Sequence, residues 1–479
     1  MNILVIVLYL LALVVFGWIG KKRSNNTEEF RVAGRRLGPF IYFGSMCALV
    51  LGGASTIGGV SLGYKQGLSG MWLVVSIAVG VILLSLFFAP IISKFRLYTV
   101  SQVLTARYGS QGATRVASFV MLAYTIMIAV TSTTAYASIF HVLFGVDRTW
   151  AILIGAIVVI GYSMLGGMWA ITLTDMFQFA FMTVGMFFLL LPVSLSKAGG
   201  WSGLQRNLEP EFFNPGAVGL NALIGMFVLY TMGQLVGQVI WQRVFTARTP
   251  KIARWGGAAA GVYVALYGVA GAIIGMSARV LMPDLSHPDN AFATLAQDYL
   301  PAGLGGVVLA AGVAAMMSTA SGTLIAAATV MRVDIVPIFT GEKVTRDSQQ
   351  NIVWQDRVYL IGLGLLATLL ALVMTDTVMA IKIAYNILIG GLLVSILGGL
   401  LWRRGTGAGA LASMVVGSVC TLASMAVLGI TAYQPIYIGL GASILTFIAV
   451  SLLGKPTDAK VLRAWEDRQH ERVSHEQSS

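Results

Sequence analysis

Apolar runs long enough to cross a bilayer follow one another through almost the whole chain, separated by short charged or Pro/Gly-rich breaks. A spanning helix needs about 20 mostly apolar residues, because every backbone polar group must be satisfied inside the hydrocarbon. Cutting at the breaks gives spans near 2–20, 40–66, 71–93, 113–142, 149–166, 170–195, 218–242, 254–281, 302–331, 358–375, 378–401, 406–429 and 435–453, about thirteen in all. A soluble chain of 479 residues would hold two or three domains, but 57% hydrophobic and 10% charged residues, with a mean hydropathy of +0.83, exclude that class. The predicted fold class is an all-α integral membrane protein.

The first run lacks a basic start and an obvious small-residue cleavage site, and "KKR" follows it, so it reads as a transmembrane helix rather than a signal peptide. Cys47 and Cys420 both fall inside spans and suggest neither a disulfide framework nor a thiolate metal site. Orientation follows from Lys and Arg, which concentrate in cytoplasmic loops. With the amino terminus outside, segments 21–36, 94–115, 243–254, 332–357, 403–404 and 455–472 lie inside and hold 25 of the 31 basic residues. The others, Lys65, Arg148, Lys197, Arg206, Arg279 and Lys382, lie near the outer side. The net charge of +12 is therefore mostly the topological signal of a protein in the cytoplasmic (inner) membrane with its tail inside, and no nucleic-acid partner follows from it.

No soluble domain is visible. The inner loop 332–357 is short and polar, and the tail after Lys455 has the pattern of a surface helix. The outer loop 277–301 carries Pro283, Pro288 and Pro301 around a short helical pattern, and reads as a plain connector or a partly ordered lid. Two spans are interrupted within their length, by "GGASTIGG" (52–59) and "YTMGQLVGQ" (230–238). Such small residues can serve close helix packing. These two spans, however, are the first helices of successive blocks of five, and matched interruptions point to an inverted-repeat transporter with its site at the midplane.

Of nineteen acidic residues, Asp175 alone lies clearly within a span, with Asp376 at an outer margin. An ionisable group there marks an ion path by default; the alternative is an inner-edge carboxylate that reaches water or pairs with an arginine. In "AAMMSTASGT" (314–323), Ser318 and Ser321 share a helix face and Thr319 adds a neighbouring hydroxyl. Hydroxyls with freed carbonyls suit a small hard cation such as sodium, although membrane Ser and Thr commonly bond back to their own helix or to a neighbour.

Four stretches together resemble the sodium:solute symporters: "FRVAGRRLGPF" (30–40) leading into the first interrupted span, "GGMWAITLTDMFQFAFM" (166–182), "GQVIWQRVFTART" (237–249) and "AMMSTASGT" (315–323). The resemblance runs over about residues 1–455. It implies the leucine-transporter-type fold, a five-plus-five inverted repeat with one leading and two trailing helices. The implied divisions are 1–39 (leading helix and inner loop), 40–195 and 196–401 (the two repeats), 402–454 (trailing helices) and 455–479 (cytoplasmic tail). The implied activity is sodium-coupled symport of a small organic solute by alternating access, with no enzymatic chemistry. The implied sodium site uses the carbonyls of Ala54, Ile57 and Ala315 with the hydroxyls of Ser318 and Thr319. A second sodium, found in some members, would use Asp175 with Ser318 and Ser321, but Gly322 stands where a further hydroxyl often does.

The solute pocket is expected from the breaks and the residues facing them: Thr56, Gly59, Tyr124, Thr131, Tyr230, Gln234, Gln238 and, near the outer gate, Tyr385 and Asn386. No acid lies near it to neutralise a cation, and helix ends at a break suit a carboxylate. A small organic anion such as a monocarboxylate, or an amino-acid-like zwitterion, is favoured over a neutral solute such as a sugar. By resemblance, Gly237 replaces the acid or Asn of galactose carriers, while Thr56 and Val60 replace the Asp and Trp of proline carriers. Lys65 and Lys382 flank the outer entrance, drawing anions or snorkelling to headgroups. A channel or sensor of the same fold is the competing class, yet neither a repeated polar path nor a signalling domain is seen. The expected partners are solute, sodium and the lipid bilayer, with no obligatory protein partner.

Overall fold

The computed structural model describes residues 2–24, 26–341, 352–374, 376–430 and 432–470, so part of the inner loop 332–357 and the end of the tail lie outside the described residues. Helix is the only regular element among the described residues. Side chains cap helix starts where the sequence supplies them, at Ser110, Asp147, Thr249, Asp376 and Thr406.

Among the described residues, ten helices are long and apolar enough to cross a membrane, or eleven with the bent pair Leu220–Val236 and Gln238–Thr246, whose halves meet at 45°. The difference from the expected thirteen lies in two helical runs, Ala54–Ile92 and Arg148–Lys197, of 39 and 50 residues. Straight, they would reach about 58 and 75 Å, against a hydrocarbon core of about 30 Å. Each turns at a glycine: Gly67 (φ 63°, ψ −140°) in the first and Gly167 (φ 56°, ψ −145°) in the second. That backbone region is open essentially to glycine alone. A Cβ would also meet the Phe212 carbonyl oxygen at 2.1 Å from Gly67, and the Phe30 carbonyl oxygen at 2.7 Å from Gly167.

The helix Leu304–Val330 forms the centre, buried at every residue from Val308 onward. It packs on Gln111–Phe144, Arg148–Thr183 and Asn2–Lys21. The trailing helices Gly407–Leu428 and Gln434–Leu453 pack mainly on each other and leave Val419, Leu445 and Leu453 exposed. An apolar surface of that kind belongs in lipid.

The segments expected inside gather at one end. Arg31 makes a two-pronged pair with Asp356 (3.1 and 2.8 Å), Arg35 Nη2 donates to the Leu97 carbonyl at 2.9 Å, and Leu37 bridges to Thr246 and Arg248 through the backbone. The tail helix, Ala459–His470, buries Trp465 against Phe95 and pairs Glu466 with Arg403. At the other end Arg279 reaches the Tyr64 hydroxyl, and Arg148 the carbonyls of Ala371 and Leu372. The loop 277–301, expected outside, contains a packed helix, Ala291–Asp298, with Phe292 and Leu295 buried, so it is more than a connector.

Gly167→Ala is expected to destabilise the protein by about 2 kcal/mol or more, read as a lower melting temperature in detergent. Gly161→Ala, whose Cβ meets nothing within 4 Å, serves as the control, and equal melting of the two variants would refute the role given to the turn.

Candidate functional site

Helix Pro39–Val50 stops at Leu51 (φ −86°, ψ 64°), and the chain resumes helically at Ala54. A helix end leaves its last carbonyls without intrahelical partners. Here Ser318 Oγ donates to the Ala48 carbonyl at 2.7 Å and Thr319 Oγ1 to that of Leu49 at 2.7 Å, while Ser55 Oγ turns back to Val50 at 3.2 Å. Gly52 permits the approach, because a Cβ there would stand 2.6 Å from Thr319 Oγ1. Ser318 Oγ also lies 2.9 Å from the Ala315 carbonyl.

Ala315, Ser318 and Thr319 are thus brought together against the break, but on carbonyls other than those the resemblance implies. Ala54 and Ile57 lie beyond the break in the wide turn Ala54–Gly58, whereas the hydroxyls meet Ala48 and Leu49, before it. The physical reason is where the helix ends: its orphaned carbonyls are those just before Leu51. A hydroxyl that donates its proton to a carbonyl keeps its lone pairs, so both oxygens remain able to ligate a cation.

The second break, at Gly237 (φ −68°, ψ 125°), separates Met232–Val236 from Gln238–Thr246. Beside it Tyr124, Tyr230 and Tyr385 form a buried aromatic group, with ring centroids 5.8 Å apart for Tyr124 and Tyr385 and 5.5 Å, edge-on, for Tyr230 and Tyr385. Gln234 Nε2 donates to the Tyr385 hydroxyl. Glycines admit the rings: a Cβ at Gly233 would lie 2.1 Å from the Tyr385 ring, and one at Gly237 2.9 Å from the Tyr124 hydroxyl. The Tyr230 hydroxyl, Gln234 Oε1 and Asn386 Oδ1 are buried without a hydrogen-bond partner. Such atoms are costly in a dry interior and are the groups a polar ligand would satisfy.

The other expected pocket residues are already engaged. Thr56 Oγ1 meets the Tyr267 hydroxyl at 3.1 Å, and Thr131 Oγ1 bonds back to Met127 at 2.9 Å. A Cβ at Gly59 would sit 3.5 Å from Val74. Gln238 departs from its expected role: Nε2 donates to the Tyr98 carbonyl at 3.0 Å and Oε1 accepts from the Val100 amide at 2.8 Å. Both ends of its amide are used to pin the 98–100 turn to the second half-helix.

Asp175 is fully buried, and Oδ2 accepts from Arg243 Nη2 at 2.6 Å and Ser45 Oγ at 2.8 Å. Ser321 Oγ instead donates to the Ser318 carbonyl at 3.0 Å. The arginine pairing is therefore the arrangement present, in place of a set joining Asp175 to Ser318 and Ser321. Arg243, only 2% exposed, was legible in sequence merely as one basic residue of an inner segment. At the end expected outside, a cavity of about 540 Å³ is lined by Lys65, His141, Asp147, Arg148, His287 and Asp376, among others. Lys382 stands over the Tyr433 ring, 4.3 Å from its centroid.

Two spanning helices broken at corresponding places, with buried and partly unsatisfied polar groups beside the breaks, define a membrane carrier. A model of the sodium:solute symporter family matches residues 30–417, and the chain belongs to that family. The sodium/proline symporter of Staphylococcus aureus is 26% identical over 445 residues, 88% of this chain and 85% of that one. A Na+-coupled sialic acid symporter, solved in a substrate-bound outward-open state, is similar over 95% of this chain and 98% of that one, with a TM-score of 0.81 at 17% identity. The inward-facing conformation of Mhp1 is similar over 91% and 96%, with a TM-score of 0.55 at 17% identity. The fold is of the leucine-transporter type, as expected. The protein is an integral multi-pass membrane protein that carries out sodium-coupled symport of a small organic solute, with Na+ as the coupling ion.

Gly233→Ala, which drives a methyl onto the Tyr385 ring, is expected to lower sodium-driven solute uptake in proteoliposomes by about tenfold, equivalent to about 1.4 kcal/mol. Uptake at the unmodified rate would show that the position of Tyr385 does not matter.

Proposed function

We propose that the solute is an amino-acid-like zwitterion, with a monocarboxylate as the nearest alternative, bound in the Tyr124, Tyr230 and Tyr385 group while sodium binds at the first break. The observation that carries this reading is the seating of the Ser318 and Thr319 hydroxyls on the carbonyls of Ala48 and Leu49. It sets two hydroxyl oxygens and the Ala315 carbonyl against a helix end that lacks its own partners. In the family's pattern the carbonyls of Ala54 and Ile57 complete the shell, five oxygens without a carboxylate. Sodium then ties the broken helix to the hydroxyl helix, and gates alternate around the site without covalent chemistry.

The unsatisfied atoms favour a zwitterion: Gln234 Oε1 and Asn386 Oδ1 are acceptors suited to an ammonium, and the Tyr230 hydroxyl is a donor suited to a carboxylate. This agrees with the name of the Staphylococcus aureus relative. Proline itself is disfavoured, because Thr56 is bonded to Tyr267 and Val60 packs toward Gly271 where the proline carriers have Asp and Trp. A sugar would call for an acid or Asn at Gly237.

The two long helical runs are read as two crossings each, turning at Gly67 and Gly167, which gives thirteen spans and the divisions 1–39, 40–195, 196–401, 402–454 and 455–479. The gathering of the basic segments at one end supports an outside amino terminus and an inside tail in the cytoplasmic membrane.

Proteoliposome uptake of labelled amino acids, monocarboxylates and sugars, driven by a sodium or a potassium gradient, tests the reading. Sodium-dependent amino-acid uptake is expected; equal uptake on potassium would overturn the sodium coupling, and uptake of sugars alone the solute class. Replacing both Ser318 and Thr319 by Ala is expected to raise the half-saturating sodium concentration at least about tenfold. An unchanged value would remove the ligand assignment.

A further inference from the structure

We propose that a cavity of about 440 Å³, at the end where the basic segments gather, holds the phosphate group of an anionic phospholipid. Its walls come from three loops: the one before the first broken helix, the one after the run Ala54–Ile92, and the one that joins the second broken helix to Pro250–Leu281. They carry five basic side chains, Arg35, Arg36, Lys94, Arg96 and Arg248, against two acids, Glu28 and Glu29. Both acids are already paired, Glu28 with Arg35 at 3.0 Å and Glu29 with Arg36. Five less two leaves three positive charges, those of Lys94, Arg96 and Arg248.

Lys94 Nζ donates to the Gln469 carbonyl at 3.2 Å. Among the described residues, the guanidinium groups of Arg96 and Arg248 have neither a hydrogen bond nor an ion pair. Other arginines at that end are spent inside the protein: Arg31 on Asp356, Arg107 on the Gly399 carbonyl and Arg404 on that of Leu452. Arg96 also holds a left-handed backbone (φ 49°), as does Arg35 (φ 56°). Outside glycine that conformation is uncommon and is kept where the surroundings impose it. For Arg35 the surroundings are Glu28 and the Leu97 carbonyl; Arg96 has no such contact and lines the cavity instead.

Two guanidinium forks in one cavity match phosphate, whose oxygens they take two at a time. The start of Pro250–Leu281 lies in the same wall and adds the positive end of a long helix, with Thr249 Oγ1 accepting from the Ile252 amide at 3.3 Å. The source of the phosphate follows from what stands beside the cavity. Each of the three helices next to it carries an exposed aromatic side chain: Phe40, Phe87 and Trp255. The three helices adjoin, since a Cβ at Gly256 would lie 2.8 Å from the Tyr42 ring and one at Gly257 2.9 Å from Ser85 Cβ. Exposed rings near the ends of spanning helices sit at headgroup level. A lipid therefore finds apolar surface for its chains beside the charge that holds its phosphate, whereas a free phosphate would use the charge alone. Bound across Arg96 and Arg248, the headgroup braces the loop after Ala54–Ile92 against a loop that already bonds to Leu37 through the Arg248 amide at 3.1 Å.

The test is binding of phosphatidylglycerol and of phosphatidylcholine to the purified full-length protein in neutral detergent, counted by native mass spectrometry, with the melting temperature as a second readout. The wild type is expected to bind phosphatidylglycerol at least about tenfold more tightly and to melt higher with it. Arg96→Gln with Arg248→Gln is expected to bring the two lipids within about threefold of each other. Lys21→Gln with Lys22→Gln removes as much charge at the same end but outside the cavity, and is expected to keep the preference. Arg248→Glu, a single change at an exposed side chain, is expected to abolish it and decides the matter if the double variant does not fold. Equal binding of the two lipids by the wild type, a preference that survives in folded Arg96→Gln/Arg248→Gln or Arg248→Glu protein, or an equal loss in the Lys21→Gln/Lys22→Gln protein would each overturn the inference. Inorganic phosphate added without lipid is expected to leave the melting temperature unchanged. A rise equal to that with phosphatidylglycerol would overturn the lipid source and make the cavity a site for free phosphate.

Discussion

A helix that stops inside the hydrocarbon strands its carbonyls, and the hydroxyls of Ser318 and Thr319 are what make the stop at Leu51 tolerable. Each unsatisfied backbone group in such a medium costs several kcal/mol, so the two helices cannot be described separately. The need for this contact explains the glycine at position 52 and the burial of the helix Leu304–Val330 from Val308 onward. It also favours the proposed cation site there: the groups that stabilise a broken helix are oxygens, and oxygens converging on one point ligate hard ions. The structural solution to the break and the proposed binding site share the hydroxyls of Ser318 and Thr319.

The end at which the basic segments gather is organised by charge instead. Arg31–Asp356 and Asp175–Arg243 are both buried ion pairs, joining residues 325 and 68 positions apart. Such pairs contribute little net stability over a well-packed apolar contact, but removing one partner costs about 3–5 kcal/mol because the other charge is left uncompensated. They therefore specify which segments meet more than they hold them together. The Arg31 carbonyl also accepts from Gln242, so the loop before the first broken helix is tied to the Gln238–Thr246 half of the second. An end of a carrier that must admit water is well served by groups that water can satisfy once they separate; an apolar seal offers no such compensation.

Much of this was legible in the sequence, for physical reasons that can be named. Span existence follows from hydropathy alone, since the bilayer fixes the length. The breaks followed from glycines at corresponding positions, and the hydroxyl helix from the three-residue spacing of Ser318 and Ser321. The register of the first break was not legible, because it depends on which amide makes the last helical bond, and nothing in "GGASTIGG" says that the stop comes at Leu51. Gln238 was misread because its amide is used by the 98–100 turn, far away in sequence. Arg243 and Arg31 were counted among loop charges; that count fixes which end of the molecule they occupy and is silent on whether they face water or an acid across the fold. The two runs of 39 and 50 residues show the converse: each turns at a single glycine whose conformation, more than its polarity, ends the helix.

Linkage between ion and solute at the proposed sites has a physical route in the turn Ala54–Gly58 and the glycine before it. Gly53 presses on the helix that carries Tyr124, where a Cβ would stand 2.3 Å from Ala135 Cβ. Gly58 faces the helix that carries Tyr385, with Val378 Cγ2 at 3.3 Å from its Cβ position. The first break is thus wedged between the two elements that bring their rings together beside the second. A cation that fixes the break against Ser318 and Thr319 also limits where those two helices can sit, and a solute that draws the rings together limits where the break can sit. That is a coupling free energy with the same value in either direction, in the range of about 1–3 kcal/mol typical of linked sites. Because a Cβ at either glycine would come closer than ordinary van der Waals distance to a side chain on those helices, even a methyl group at either position would act on the linkage before it acted on either site alone.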